Sequence, residues 1–153
     1  MSLNVGDTAP DFTLKDSDGN EVTLSSLTGE KSVTIVFIPF AFTGTCQGEL
    51  CELRDNLESF VTADNQVLSI STDTKPSLAE WKKQQGFTFP LLSDHWPHGA
   101  VAQAYGAFNE AVGCANRMTV VVAKDGTVAE IFESGGLGEA RPLGNYTSAL
   151  GKV

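Results

Sequence analysis

Three cysteines, at positions 46, 51 and 114, are the side chains of this 153-residue chain best suited to covalent chemistry. Cys46 occupies the most telling place. It lies in Pro39-Phe40-Ala41-Phe42-Thr43-Gly44-Thr45-Cys46-Gln47-Gly48-Glu49-Leu50-Cys51, where an apolar run ends at a proline, a loop follows and a helical pattern begins. The first turn of a helix has N–H groups without intrahelical partners and carries about half a positive charge. Both favour a thiolate over a thiol, and the thiolate is the nucleophile. Thr43 or Thr45 can cap this helix. With Thr43 as the cap, Cys46 falls at the third helical position, within reach of the threonine hydroxyl. The competing role for any free cysteine is that of a small buried apolar residue.

Cys51 follows Cys46 by five residues. In a helix that offset is about 140° of rotation and about 7.5 Å of rise, which puts the two Cα atoms about 8–9 Å apart. A disulfide needs less than about 7 Å. The two sulfurs can therefore join only if the first turns of the helix unwind, and Gly48 between them lowers the resistance to unwinding. Cys114 precedes Arg117 by three residues. In an extended segment these positions point to opposite faces, which predicts a passive Cys114.

The elements around Cys46 read as follows. Phe12–Leu14 and Glu21–Leu24 are short strands around the turn Asp16-Ser17-Asp18-Gly19-Asn20. Val33–Ile38 is apolar and β-branched, as in a central strand buried on both faces. Leu50, Leu53, Leu57 and Phe60 recur at helical spacing from Thr45 to Val61. Val67–Ser71 is a second buried strand. Ser77–Gln85 is a helix beginning after Pro76 and closed by Gly86. Phe89–Leu92 is a short extended piece and Gly99–Tyr105 a short helix. Met118–Ala123 and Thr127–Phe132 are strands joined by Lys124-Asp125-Gly126, a hairpin signal. Residues 142–150 form a last helix. The order predicts an α/β domain with a mixed central β-sheet flanked by helices, parallel in its early crossovers and antiparallel at its last pair.

Composition limits what such a site can serve. Length and the absence of repeats or linkers predict one domain over residues 1–153. Ten Lys plus Arg against nineteen Asp plus Glu give a net charge of −9, which argues against nucleic acid and against anionic membranes as partners. An odd, small number of cysteines does not make a secreted disulfide scaffold. MSLNVGDTAP has neither the basic nor the apolar region of a signal peptide, and the longest apolar run is too short to cross a bilayer. A cytoplasmic protein with reduced thiols is the expectation.

Pro39, Thr43 and Cys46 match Pro-x-x-x-Thr-x-x-Cys, the active-site signature of peroxiredoxins, and Glu49 stands where that family commonly has Glu. Gly6-Asp7-Thr8-Ala9-Pro10-Asp11-Phe12-Thr13-Leu14 resembles the family's opening. Phe89-Pro90-Leu91-Leu92-Ser93-Asp94, with Ala102 and Tyr105-Gly106, resembles its middle. Arg117 falls where the family has its active-site arginine. More narrowly, TGTCQGEL, FTFPLLSDHWPHGAVAQAYGAFNE and ANR resemble the AhpE-type group, the alkyl hydroperoxide reductase E branch.

The resemblance implies a thioredoxin-like fold and a thiol peroxidase that needs no cofactor and no metal. Cys46 thiolate would attack the terminal oxygen of a hydroperoxide and become a sulfenic acid. Thr43 and Arg117 would donate hydrogen bonds to the reacting oxygens. Pro39 would shield the sulfur and Glu49 would orient Arg117. Peroxiredoxins of the bacterioferritin-comigratory (PrxQ) type carry a resolving cysteine at the offset of Cys51, whereas many AhpE-type proteins work with one cysteine. Cys51 is thus either the resolving thiol or a packed helix residue. The implied partners are a hydroperoxide, a thiol reductant (thioredoxin, or mycothiol with mycoredoxin) and a second copy in a homodimer.

Other features suggest less. His95 and His98 flank Pro97 in a loop and lack a third metal ligand. Trp81 and Trp96 either pack or line an entrance; Phe40 and Phe42 either shape the pocket or meet a dimer partner. Gly135-Gly136-Leu137-Gly138 reads as a turn, not a phosphate loop. Two other functions compete. A thiol–disulfide reductase would need Cys-x-x-Cys at this helix start. A redox sensor or holdase would be switched by oxidation of Cys46.

Overall fold

The computed structural model describes residues 3–59 and 64–150. Its elements in chain order are β1 (Thr13–Asp16), β2 (Glu21–Thr23), α1 (Leu24–Leu27), β3 (Ser32–Phe37), α2 (Gly44–Asp55), β4 (Asn65–Ser71), α3 (Lys75–Gln85), β5 (Leu91–Ser93), α4 (Ala100–Ala104), β6 (Phe108–Asn109), β7 (Cys114–Ala115), β8 (Met118–Val122), β9 (Val128–Glu133) and α5 (Leu143–Leu150). Seven strands form one mixed sheet in the order β2-β1-β5-β4-β3-β8-β9, while β6 and β7 make a separate small ribbon. β3 pairs in parallel with β4, and β4 with β5; β8 is antiparallel to both β3 and β9.

Every residue of β3 is buried, as its β-branched sequence predicts. Alternation divides its side chains between two cores. Val33, Ile35 and Phe37 meet Leu68, Ile70, Val101, Tyr105 and Val120 on one face. Val36 and Ile38 meet Leu50, Leu53, Leu78, Trp81 and Tyr146 on the other. Helices α2, α3 and α5 therefore cover the face that carries Cys46, and α4 covers the opposite face.

Four local departures from the sequence reading have identifiable causes. The helix expected to reach Val61 ends at Asp55, because the Asn56 side chain bonds back to the Glu52 carbonyl at 2.8 Å; a 3-10 turn, Leu57–Ser59, follows. Phe60 and Val61 lie outside the described residues. Helix α3 starts at Lys75, before Pro76, since a proline in the first turn gives up an N–H that has no intrahelical partner there. Leu24 opens the short helix α1 instead of ending β2, and the ribbon β6–β7 has no sequence signal; both are too short to show a period.

Candidate active site

The chain leaves β3 through Ile38 and the buried Pro39, and two contacts then hold the loop. The Ala41 N–H donates to Asp73 Oδ2 at 2.8 Å, and that oxygen also accepts from Ser71 Oγ at 2.7 Å. Phe42 has φ +64°, a left-handed conformation uncommon for a residue with a side chain. Its ring lies 6.1 Å from that of Trp81, so packing against α3 helps hold it there.

Thr43 is the backbone cap of α2 and Cys46 takes the third helical position. The threonine hydroxyl, however, makes no capping bond. It donates to the Phe40 carbonyl at 2.8 Å, a local turn bond that competes with capping. Thr45 instead reaches the Gly138 carbonyl at 3.4 Å.

Cys46 is fully buried, and its sulfur accepts a hydrogen bond from Arg117 Nη2 at 3.0 Å. The Arg117 guanidinium is held from two other sides: Nη1 donates to Glu49 Oε1 at 2.5 Å, and Nε to the Leu137 carbonyl at 2.5 Å. The glycine-rich turn at 135–138 thus supplies a carbonyl to the site. Cys46 and Glu49 meet the same guanidinium because residues three apart share a helix face.

The site contains a residue that sequence reasoning missed. Arg141 donates to Glu49 Oε2 from its backbone N–H at 2.7 Å and from Nε at 2.9 Å, to Glu49 Oε1 from Nη2 at 3.1 Å, and to Thr119 Oγ1 from Nη1 at 3.1 Å. Thr119 in turn donates to the Tyr146 hydroxyl at 3.1 Å. The side chains of Arg117, Glu49 and Arg141 are 2%, 2% and 0% exposed. Two guanidinium ions here enclose one carboxylate, and the Cys46 sulfur is the other side-chain acceptor facing Arg117. The only sequence clue to Arg141 was scarcity: the chain has three arginines.

The electrostatics follow from this enclosure. Burial alone would raise the Glu49 carboxyl, but hydrogen bonds and charge from Arg141, with the charge of Arg117, hold it below its ordinary value of 4.5. Burial works against the Arg141 cation, yet the Tyr146 and Glu49 groups beside it favour the charged form and the net direction is upward. Burial pushes the Tyr146 hydroxyl up. A depressed carboxylate pKa means that the folded state binds this proton less readily than the unfolded chain does. The stability from Glu49 is therefore complete above its ordinary value of 4.5 and lost as pH falls through the lower folded value. Melting temperature should fall on acidification through this window, and Glu49→Gln should flatten that part of the curve. Parallel curves for the two proteins would refute the linkage.

Cys51 sits on the same unbroken helix as Cys46, half-buried, and all three cysteines are free thiols. Its S–H donates to Gln85 Oε1 at 3.6 Å. Cys114 lies in β7 and is fully buried. Burial, then the nearby Cys46, push its thiol up against the opposing pull of Arg117. A raised thiol pKa makes it a poor nucleophile.

Trp81 is fully buried and packs against Phe87, with ring centroids 5.0 Å apart. Trp96 is 80% exposed and borders two hollows of about 490 and about 310 Å³, lined by residues such as Thr13, Lys75, Asp94 and Tyr105 and by neither Cys46 nor Arg117. His98 Nε2 meets the Gly113 carbonyl at 2.6 Å. Among the described residues, no group of three or more His, Cys, Asp or Glu gathers to hold a metal, and no helix is long and apolar enough to cross a membrane.

Similarity to known proteins agrees with this geometry. The sequence profile of the AhpC/TSA family matches residues 5–131. Alkyl hydroperoxide reductase E of Mycobacterium tuberculosis is 53% identical over 150 residues, which cover 97% of this chain and 96% of that protein. Peroxiredoxin Bcp of Escherichia coli is 32% identical over 137 residues, 86% of each chain. The crystal structure of peroxidoxin BcpB from Mycobacterium tuberculosis superimposes with a TM-score of 0.85 at 30% identity, covering 97% of this chain and 96% of that one. With the fold shared along nearly its whole length, the chain belongs to the AhpC/TSA family, as a peroxiredoxin of the AhpE type on a thioredoxin-like fold.

Proposed function

We propose that this thiol-dependent peroxidase uses Cys46 as its peroxide-reacting thiolate. The observation that carries the assignment is the Arg117 Nη2 donor 3.0 Å from the Cys46 sulfur, in a cluster closed to water. The sulfur attacks the terminal oxygen of ROOH. An S–O bond forms and the O–O bond breaks. The leaving RO⁻ takes a proton and departs as alcohol, or as water when R is hydrogen, and Cys46 is left as a sulfenic acid. Arg117 meets the charge as it moves from sulfur to the peroxide oxygens, which is where a fixed cation lowers the barrier. Thr43 turns its hydroxyl from the Phe40 carbonyl to the bound peroxide, Pro39 keeps water from the sulfur, and Glu49 with Arg141 fixes the orientation of Arg117. Because Cys46 is fully buried, the peroxide has to displace atoms that cover it.

The substrates are hydrogen peroxide and organic hydroperoxides. Cys51 resolves the sulfenic acid as a disulfide after the first turns of α2 unwind. A thiol reductant, thioredoxin or mycothiol with mycoredoxin, restores both thiols. The protein works in the cytoplasm as a homodimer of single-domain chains. Intact mass after one equivalent of peroxide tests the chemistry. A loss of about 2 Da marks the disulfide. A gain of about 16 Da marks a lasting sulfenic acid and moves resolution to an external thiol. No change of mass alongside peroxide consumption would remove the cysteine mechanism.

A further inference from the structure

Helices α2 and α3 are joined by two side-chain hydrogen bonds set one turn apart. Trp81 Nε1–H donates to Gln47 Oε1 at 3.2 Å, and the Cys51 thiol donates to Gln85 Oε1 at 3.6 Å. Gln47 and Cys51 are four residues apart on α2, and Trp81 and Gln85 are four apart on α3, so each pair occupies one face of its helix. A third bond lies farther along: Arg54 Nη1 donates to the Gln85 backbone carbonyl. The first two bonds fall within the stretch that must unwind for Cys51 to reach Cys46. The third lies past it, next to Leu53, which is 1% exposed in the core.

We propose that this ladder is a latch on resolution, with Gln85 and Trp81 as positioning residues that keep Cys51 parked on α3 until Cys46 has been oxidised. The inference rests on Cys51 being the resolving thiol. In the parked state the Cys51 S–H is engaged by the Gln85 amide oxygen, and the sulfur is held against α3. Unwinding breaks both rungs, while the Arg54 bond and buried Leu53 anchor the rest of α2 and limit how far the opening runs. The freed Cys51 thiolate then attacks the Cys46 sulfenic sulfur. An S–S bond forms, the S–O bond breaks, and the hydroxide that leaves takes up the Cys51 proton as water.

The test follows disulfide formation by quenched intact mass after one equivalent of hydrogen peroxide. Gln85→Leu keeps the side-chain volume and removes the acceptor; Trp81→Phe keeps a ring and removes the donor. Each should speed conversion of sulfenic acid to disulfide by roughly threefold to fivefold, the value of one net hydrogen bond. The second-order rate of Cys46 oxidation should not change in Gln85→Leu, since Gln85 touches neither the Arg117 cluster nor the loop before Cys46. Gln85→Glu keeps an acceptor and should resolve no faster than the parent protein. Unchanged or slower resolution in both Gln85→Leu and Trp81→Phe would overturn the latch. Equal acceleration in Gln85→Glu would also overturn it, by reducing the joint to simple packing. A parent protein that stops at the sulfenic acid, or a disulfide that still forms in Cys51→Ser, would instead overturn the resolving role of Cys51 and the latch with it.

Discussion

Cys46→Ser should end peroxide consumption, with a loss of at least roughly 10⁴-fold, the scale seen when a reacting nucleophile is removed. A serine hydroxyl is not ionised at neutral pH in any useful fraction, and oxygen cannot be taken to the sulfenic state. The fold should survive. Serine nearly matches cysteine in size, and its oxygen can accept the Arg117 Nη2 hydrogen bond that the sulfur accepts at 3.0 Å. Activity and stability therefore separate in this variant. Peroxide loss is followed with an external thiol present, and unfolding is measured on the same preparation. Cys51→Ser and Cys114→Ser should both still consume the first equivalent of peroxide, because neither sulfur carries the first step. Substantial turnover by Cys46→Ser would show that the reacting group lies elsewhere.

Glu49→Gln should produce the largest loss of stability among single replacements in the site, about 3–5 kcal/mol. The carboxylate accepts four hydrogen bonds, one from Arg117 and three from Arg141, all inside the protein. Glutamine removes the charge and turns an N–H₂ group toward guanidinium donors. Two buried cations are then left without the carboxylate they share. Since a domain of this size is stable by about 5–15 kcal/mol, a substantial fraction would remain folded for study. The urea midpoint should fall with little change in slope. Peroxidase activity per folded molecule should fall too, because Arg117 loses one of the two acceptors that fix its direction. A shift below about 1 kcal/mol would mean that the cluster is in effect solvated.

Local features were readable from the sequence because local physics produces them. The β-branched run of β3, the helix start after Pro39, the hairpin around Asp125-Gly126 and the closing Gly86 each depend on neighbours within a few residues. So does the shared helix face of Cys46 and Glu49. Arg141 was invisible for the opposite reason. Its partner Glu49 lies 92 residues earlier, and nothing near Arg141 signals burial. The Thr43 hydroxyl was misjudged at the level of a single rotamer: the Phe40 carbonyl competes for it, and backbone pattern does not decide that competition.

The sequence by itself determined that a cysteine would open a helix after a buried strand, and that Cys51 could not reach it across an intact helix. Those conclusions need only helix geometry and the partial charge at a helix start. Only the tertiary structure decided how the sulfur's surroundings balance. Burying one carboxylate between two arginines requires α2, β8 and the segment before α5 to converge, and the charges are stable there only because each satisfies the others' hydrogen bonds. The packing of α3 on α2 likewise decided that Cys51 rests against Gln85, a contact that no periodicity in either helix contains.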